Sequence, residues 1–186
     1  AITPVDLALA RELGGTLKPV IHAQGLDGRR AEPAAFAGPA FVPADHPLAR
    51  VNQVTNGLCL RDVAGTDLCL TGPGAGPDVT AVTILDDVLE AAAGETACRP
   101  ASAPTGLAVA PVTAWFVRVT SARPLPRGAN VAELLGAHGV WTERTSGTDS
   151  RDGKESRAVL TYASTRPQVE RAAAALSAAT GCTARL

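Results

Sequence analysis

The stretch "TAWFVRVT", residues 113–120, has the β-branched and aromatic content of a strand and opens a pattern that decides the fold of the carboxyl-terminal part. The elements predicted after it are a helix at 131–138, strands at 141–146 and 158–163, a helix at 167–179 and a strand at 182–186. The order is βαββαβ. Two split βαβ units of this kind predict a ferredoxin-like sandwich with both helices on one face of an antiparallel sheet. The other face needs cover.

The amino-terminal part predicts a mixed arrangement of short helices and strands. A helix is predicted at 6–13, after Thr3 and Pro4, with strands at 18–23, 56–63 and 67–71. A second helix is predicted from Val79 to about Ala92, with Asp78 as its N-cap. Its apolar stripe is expected to pack on the sheet and consists of Val79, Val82, Leu85 and Leu89. The fold class is therefore α+β.

A change of composition separates the two parts. The segment "TACRPASAPTGLAVAP", residues 96–111, is rich in proline and small residues and has almost no periodicity. We interpret it as a linker between a first domain at 1–95 and a second at 112–186.

Composition and charge exclude several classes of function. The chain has 186 residues, 46% of them hydrophobic, and a net charge of -1. Its scattered cations make no basic face for a phosphate backbone, so we expect no nucleic-acid partner. No apolar run is long enough for a membrane span, and the start lacks the features of a leader peptide. The expected location is cytoplasmic, with no membrane partner.

The four cysteines do not have the spacing of a metal site. Cys59, Cys69, Cys98 and Cys182 form no Cys-x-x-Cys pair and have no nearby histidine pair, so no metal is predicted. Cys59 and Cys69 can face each other across a hairpin, but a cytoplasmic chain would keep them reduced. The sequence therefore favours buried free thiols.

The glycine-rich segment at 72–76 precedes a helix, as phosphate-binding loops do. It lacks the Gly-Lys-Ser/Thr ending of a P-loop, and Pro77 interrupts the dinucleotide pattern. Two interpretations remain. The loop either closes a small-molecule pocket or is a tight strand-to-helix turn that needs glycine for its backbone angles.

The segment "FVPADHPLARVNQVTNGLCLRDVAGTDLCLTGPGAG", residues 41–76, resembles the substrate-binding and dimerisation domain of homoserine dehydrogenases. The matching positions are Pro43, Asp45, His46, Pro47, Leu48, Ala49, Val51, Asn52, Asn56 and Gly72 to Gly76. "ITPVDLALARELG", residues 2–14, is similar to a helix of the same family, in which Gln53 replaces a glycine. The carboxyl-terminal unit resembles the ACT domain of many bacterial members. Its effector turn differs, however, because Arg123 and Arg127 stand in place of the usual acidic start.

The family's amino-terminal Rossmann domain, which binds the nicotinamide cofactor, has no counterpart in these residues. The Asp-x-x-x-Lys helix that handles the homoserine hydroxyl is also missing from the first domain. We therefore expect no cofactor for this chain and a non-redox reaction on a small amino-acid-like molecule, in amino-acid biosynthesis or specialised metabolism. Two alternatives stay open. The chain is either a regulatory amino-acid-binding protein or the carboxyl-terminal portion of an NAD(P)-dependent homoserine dehydrogenase.

The candidate site residues surround the glycine-rich loop and the family's histidine motif. His46 is the candidate acid–base catalyst, since an imidazole changes charge near neutral pH, and Asp45 is the candidate that orients it. The alternative for His46 is a surface or hydrogen-bonded loop residue. The candidate ligand-binding residues are Asn52, Asn56, Gly74, Gly76 and Thr80. The two asparagines can equally satisfy backbone groups.

The resemblance also implies assembly, since the family dimerises through its substrate domain. The second domain is expected to expose an apolar sheet face for a homodimer, formed by Trp115, Val117, Val159 and Tyr162.

Overall fold

The computed structural model describes residues 2–24, 34–62, 64–94, 112–124, 128–151 and 153–186. The helices are α1 (Pro4–Glu12), the 3-10 helix η1 (Pro47–Arg50), α2 (Pro77–Ala92), α3 (Gly128–Gly136) and α4 (Arg166–Thr180). The strands are β1 (Gly15–Gln24), β2 (Ala34–Pro43), β3 (Thr55–Arg61), β4 (Asp67–Pro73), β5 (Phe116–Ser121), β6 (Thr142–Thr145), β7 (Asp149–Arg151), β8 (Lys154–Thr161) and β9 (Thr183–Arg185). This is the mixed α and β class that the sequence predicts.

The chain divides into two compact units. The terminal unit combines residues 1–45 with 108–186, and the middle unit is 46–107. This partition differs from the predicted domains at 1–95 and 112–186, because the amino-terminal segment packs with the carboxyl-terminal sheet. The predicted linker at 96–111 lies outside the described residues.

The terminal unit contains the predicted βαββαβ order. Its antiparallel sheet has the strand order β6-β8-β5-β9, with β7 as an additional strand paired to β8. The side chains of one sheet face pack against α3 and α4 and form the main core: Val117, Val119, Val131, Leu135, Val140, Val159, Val169, Ala172, Leu176 and Cys182. The ferredoxin-like arrangement is therefore present. Cys182 is a buried free thiol, as predicted.

The opposite face of this sheet is covered by α1. Successive side chains of a strand alternate between faces, so the neighbours of Val117 and Val159 point away from α3 and α4. There Ala158 and Leu160 pack against Leu9 of α1 and against Leu13, the residue that caps its carboxyl end. Phe41 and Phe116 stack beside them, with ring centroids 6.3 Å apart.

This packing corrects the predicted dimer surface. Val117 and Val159 are fully buried in the main core, and Trp115 packs against that core. Tyr162, 57% exposed, is the only member of the predicted set that is exposed. The prediction assumed the wrong sheet face. It also missed that the amino-terminal helix of the same chain covers the other face.

A buried ion pair joins α1 to the sheet. The Asp6 carboxylate lies 2.8 Å from the Arg118 guanidinium, and the two side chains are 10% and 12% exposed. Asp6 also accepts hydrogen bonds from the backbone and the hydroxyl of Thr3, which caps α1. One carboxylate thus completes a capping box and neutralises the cation of the sheet.

The strand β2, which the sequence patterns did not predict, pairs antiparallel with β1 along ten residue pairs. Its sequence "AAFAGPAFVP" is rich in alanine, glycine and proline, which have low strand propensity and give no alternation. The partner strand supplies what the local sequence lacks. Pairing, rather than propensity, makes this segment a strand.

The middle unit is a β3–β4 hairpin with η1 and α2. Two predictions for α2 were wrong: its N-cap is Gly76 rather than Asp78, and no residue of α2 is buried. Proline is favoured at the first helical position, so Pro77 starts the helix one residue before Asp78. No helix among the described residues is long and apolar enough to cross a membrane.

Gln53 occupies a backbone conformation that glycine prefers. Its φ is 57°. Among the described residues, Gln53 is the one residue other than glycine that has a positive φ. The turn is closed by a hydrogen bond from the Thr55 backbone N–H to the Asn52 carbonyl, with an N···O distance of 3.2 Å. Gln53 therefore holds this turn at the steric cost of a side chain in the left-handed region.

We expect Asp6→Asn to destabilise the terminal unit by about 3 kcal/mol, because it leaves the buried Arg118 cation without its counter-charge. Both tryptophans of the chain, Trp115 and Trp141, lie in this unit, so urea unfolding followed by tryptophan fluorescence measures it directly. The matched control is Glu170→Gln, which breaks the Arg166 pair whose side chains are 59% and 50% exposed. Its expected cost is below about 0.5 kcal/mol. Equal small losses in the two variants would contradict the role of the buried pair.

We expect Gln53→Gly to stabilise the middle unit. The left-handed conformation costs a residue that has a side chain about 1–2 kcal/mol, which glycine avoids. Glycine also has more conformational entropy in the unfolded state, and this destabilises the folded variant by about 0.5–1 kcal/mol. The expected net gain is about 0.5–1 kcal/mol, measured by hydrogen exchange of the backbone amides at 54–61. Gln53→Ala, which keeps the steric cost, should show no gain. Equal protection in the two variants would contradict this interpretation.

Candidate functional site

The open end of the β3–β4 hairpin brings predicted ligand-binding residues together. Asn56 pairs with Gly72 in the ladder, and the loop from Gly72 to Gly76 follows directly. A cavity of about 340 Å³ lies on this part of the hairpin, lined by Asn56, Gly57, Leu58, Leu70, Thr71, Gly72 and Pro73. It combines apolar side chains with one carboxamide and exposed strand backbone. Such a surface suits a small molecule that has both polar and apolar parts.

Gly74 is required by the close approach of Asn56. A Cβ atom at position 74 would overlap the Asn56 carboxamide, whereas one at Gly72 would meet nothing within 4 Å. The Gly74 backbone N–H donates to the Val54 carbonyl, with an N···O distance of 2.6 Å. The glycine at 74 therefore lets an amide side chain lie directly against the loop. This contact is invisible in the sequence, because eighteen residues separate its partners.

The start of α2 uses its own polar groups locally. Gly76 has a φ of 131° and provides no side-chain cap. The Thr80 hydroxyl donates to the Gly76 carbonyl, with an O···O distance of 2.9 Å. Thr80 is thus bonded back to its own helix, and its oxygen retains acceptor capacity only. Both interpretations of the loop stay compatible with this geometry.

His46 caps η1 through its ring. Its Nδ1 accepts a hydrogen bond from the Leu48 backbone N–H, with an N···N distance of 3.2 Å. An imidazole that accepts at Nδ1 carries its proton on Nε2, so neutral His46 presents Nε2 as a hydrogen-bond donor. His46 lies in the middle unit, while Asp45 belongs to the terminal unit. Their roles as catalyst and orienting carboxylate stay a prediction.

The turn end of the hairpin carries an exposed ion pair. Arg61 donates to both carboxylate oxygens of Asp67, at 2.6 and 2.7 Å. These hydrogen bonds lower the pKa of Asp67 below its usual value, and the charges of Arg61 and His46 add smaller effects in the same direction. Asp67 lies at the turn end of the ladder, whereas Asn56 contacts the glycine loop at the open end.

Asn52 uses its side-chain amide within its own turn. Its Nδ2 donates to the Arg50 carbonyl, with an N···O distance of 3.1 Å. The sequence left open whether this asparagine binds a ligand or satisfies the backbone, and the structure shows it engaged with backbone. Among the predicted ligand-binding residues, four lie next to one another around the glycine loop: Asn56, Gly74, Gly76 and Thr80.

The cysteine prediction was wrong for one pair. Cys59 and Cys69 are directly opposed on β3 and β4 and form a disulfide, with their Cα atoms 4.2 Å apart. Cys69 is exposed and Cys59 is half-buried, so neither is a buried thiol. The expected reducing cytoplasm led to the prediction of free thiols. The spacing around the turn "DVAGTD" instead places both cysteines at the same distance from the tip of the hairpin, where they can bond. Within the residues that the structure describes, no cluster of three potential metal ligands occurs.

The terminal unit has a separate cleft of about 300 Å³. It lies at the end of β5 beside the β7–β8 hairpin and is lined by Ala122, Arg123, Pro124, Ser150, Arg151, Gly153, Lys154 and Glu155. Arg151 pairs with Asp149, with an N···O distance of 3.0 Å. Arg123, one of the two arginines singled out in the altered effector turn, lines this cleft; the other, Arg127, lies outside the described residues.

Comparison with known proteins identifies the relatives of the chain. Residues 1–89 match the family model described as homoserine dehydrogenase. The homoserine dehydrogenase of Mycobacterium leprae is 36% identical over 94 residues, which cover 49% of this chain and 21% of that protein. The homoserine dehydrogenase of Corynebacterium glutamicum is 27% identical over 187 residues, covering 95% of this chain and 42% of that protein.

Solved structures extend the likeness of fold to nearly the whole chain. A homoserine dehydrogenase from Thiobacillus denitrificans superposes with a TM-score of 0.63 at 24% identity, covering 95% of this chain and 42% of the other. The homoserine dehydrogenase of S. aureus gives a TM-score of 0.60 at 18% identity, covering all of this chain and 43% of the other. The chain thus spans less than half the length of these relatives. Residues 1–89 are therefore similar in sequence to the homoserine dehydrogenases, and nearly the whole chain resembles solved structures of that family in fold.

Proposed function

We propose that this chain provides the substrate-binding and assembly portion of a homoserine dehydrogenase, corresponding to the carboxyl-terminal part of that enzyme. The nicotinamide cofactor would then be held by a nucleotide-binding portion outside these residues. In this arrangement the Asn56 side chain and the loop from Gly72 to Gly76 contact the amino-acid substrate.

One observation carries the proposal: the middle unit has no core of its own. Among its described residues none is buried, and ten of its large apolar side chains are 50–59% exposed. They are Val54, Leu58, Leu60, Leu68, Leu70, Val82, Ile84, Leu85, Val88 and Leu89. A single two-stranded hairpin and a helix without a packed face are marginal in water. These surfaces are what a portion of a larger enzyme presents to its remaining parts.

The loop geometry supports a polar ligand at the open end of the hairpin. The Asn56 carboxamide offers both a donor and an acceptor, and Gly74 has no side chain between this amide and the loop. A carboxamide of this kind suits the hydroxyl, amino and carboxylate groups of homoserine, each of which needs a hydrogen-bond partner when it leaves water.

The sequence-based preference for a non-redox reaction has no support in the structure or in the comparisons. It came from the missing Rossmann domain, with His46 as the candidate acid–base catalyst, and that role of His46 stays a prediction. The bond from the Leu48 N–H to Nδ1 places the proton of neutral His46 on Nε2. The second candidate is a regulatory amino-acid-binding protein, favoured by the cleft beside Arg123, Arg151 and Lys154, whose cations suit a carboxylate.

A homodimer is part of the proposal, although not through the face expected from the sequence. Leu58 pairs with Leu70 and Leu60 with Leu68, so four leucines lie on one face of the hairpin. A second copy that covers this face with the same face of its own would bury all four in each protomer. The cytoplasmic location remains a prediction, in keeping with an enzyme of amino-acid biosynthesis.

We expect the chain to bind L-homoserine and to restore homoserine-dependent reduction of NAD(P)+ when mixed with the nucleotide-binding portion of a relative such as the Corynebacterium glutamicum enzyme. Gly74→Ala, which pushes the Asn56 amide aside, should weaken binding roughly tenfold, the loss of about one ligand hydrogen bond. Gly72→Ala is the matched control, since a Cβ there meets nothing within 4 Å. Isothermal titration measures binding, and absorbance of the reduced cofactor measures turnover.

Three outcomes separate the candidates. Wild-type affinity in the Gly74→Ala variant would remove the Asn56–Gly74 contact from the site. Binding of amino acids that responds to Arg123→Ala and ignores Gly74→Ala would favour the regulatory alternative. Conversion of homoserine by the chain without any nucleotide-binding portion would revive the non-redox hypothesis.

We expect Leu58→Glu to convert the dimer into a monomer, because a carboxylate at the centre of the leucine face would be buried without a partner. Light scattering coupled to size-exclusion chromatography measures the mass at micromolar concentration. Ile21→Glu is the control, since Ile21 is 85% exposed and lies on β1 in the other unit. A wild-type monomer, or a dimer that survives Leu58→Glu, would refute assembly through this face.

A further inference from the structure

The Cys59–Cys69 disulfide lies in the ladder between β3 and β4. The two residues are register partners, with Cys59 opposite Cys69 and their Cα atoms 4.2 Å apart. This spacing belongs to the closer type of antiparallel pair, in which the two side chains stand side by side. The strand register therefore brings the two sulfur atoms together, so the bond can form whenever the two strands are paired.

One of the two sulfurs is open to solvent. Cys69 is exposed, whereas Cys59 is half-buried. Both cysteines lie on the hairpin face that also contains Gly57, and on the β3 side of that face Leu48 of η1 and the following Val51 pack over Gly57. An external thiol can therefore approach the pair from the side of Cys69. A disulfide that stabilises a core would not be reachable in this way.

The hairpin has few other constraints. On the cysteine face of the hairpin, η1 packs on β3. On the other face, the four leucines are half-exposed. The Arg61–Asp67 pair at the turn is exposed, and such pairs contribute little to stability. A two-stranded sheet of this kind is marginal by itself. The covalent bond across ten residues is therefore the main restraint on the relative position of β3 and β4.

We propose that Cys59 and Cys69 form a reversible thiol–disulfide switch that sets the stability of the β3–β4 hairpin and of the Asn56–Gly74 contact at its open end. This modification site goes beyond the proposed function and does not depend on which molecule the loop binds. In a reducing compartment the pair is a dithiol, and oxidising conditions close it.

The chemistry requires a low-molecular-weight disulfide, RSSR, as oxidant. The Cys69 thiolate attacks one sulfur of RSSR, forms a mixed disulfide and releases one thiolate RS⁻. The Cys59 thiolate then attacks the Cys69 sulfur, forms the protein disulfide and releases the second RS⁻. Two protein thiols are oxidised, and RSSR is reduced to two RSH after protonation. Reduction reverses both steps, with an external thiolate attacking the exposed Cys69 sulfur first.

The switch reaches the glycine loop through the ladder. Asn56 lies three residues before Cys59 in β3, and Gly72 lies three residues after Cys69 in β4. Asn56 and Gly72 are therefore also register partners, three pairs along the ladder from the disulfide. Fraying of the strands would release the hydrogen bond from the Gly74 N–H to the Val54 carbonyl and separate the Asn56 amide from the loop. Oxidation therefore keeps the loop ordered, and reduction loosens it.

Hydrogen exchange of the full chain tests the switch without any ligand. In a Cys98→Ser/Cys182→Ser background, only Cys59 and Cys69 remain of the four cysteines. Dithiothreitol should accelerate exchange of the amides at 55–61 and 67–73 by up to roughly a hundredfold, the loop-closure effect of a crosslink of this length. Oxidised glutathione should restore protection. Amides of β5 and β8 should not respond, and tryptophan fluorescence confirms that the terminal unit stays folded.

Cys59→Ser is the matched variant. It should exchange at the fast rate in both redox conditions, and iodoacetamide should label its Cys69 rapidly. Exchange in the hairpin that ignores dithiothreitol would overturn the proposal, as would failure of glutathione disulfide to close the pair at any ratio. Loss of protection in β5 and β8 on reduction would also overturn it, because the bond would then hold the whole fold rather than the hairpin.

Discussion

The buried pair between Asp6 and Arg118 is the interaction on which the terminal unit depends. A ferredoxin-like sheet has two apolar faces, and α3 and α4 cover only one of them. Arg118 points to the other face, where its charge would be buried without compensation if α1 were absent. Asp6 supplies that charge and caps α1 at the same time. The position of the amino-terminal helix is therefore determined electrostatically as well as by Leu9 and Leu13.

The middle unit, in contrast, has no buried residue among those described. Its strands and its helix have clear apolar faces, but the large side chains of those faces are at least half exposed. The ladder, the disulfide and the packing of η1 over Gly57 hold the hairpin. Burial that is missing within a unit has to be found elsewhere, because exposed apolar area on this scale is unfavourable in water. The proposed role, as a portion of a larger enzyme paired with a second copy, would supply that burial; the chain spans less than half the length of its relatives.

The candidate site lies in the unit with the weakest internal packing. Its central contact, Asn56 against Gly74, depends on the absence of a side chain at 74 and on the register of β3 with β4. A shift of that register by one residue would turn Asn56 to the other face of the hairpin. Any constraint on the register, the Cys59–Cys69 bond in particular, is therefore also a constraint on the site. Binding regions are commonly drawn from the less stable parts of a protein, where small changes of state have large local effects.

Several features follow from the sequence by itself. The βαββαβ order follows from the spacing of apolar residues between 113 and 186, and the capping box at α1 from Thr3 and Asp6, because such signals are local. The motifs around His46 and Gly72 to Gly76 were enough to indicate the family. Predictions that needed a partner distant in the chain failed. The weakly patterned β2 becomes a strand only because β1 pairs with it, and α2 has an amphipathic sequence yet packs on nothing described. Which sheet face is covered, which cysteines meet and which amide lies against Gly74 are all decided by contacts between distant segments. Tertiary structure alone creates those contacts, since local propensity contains no information about what a face will meet.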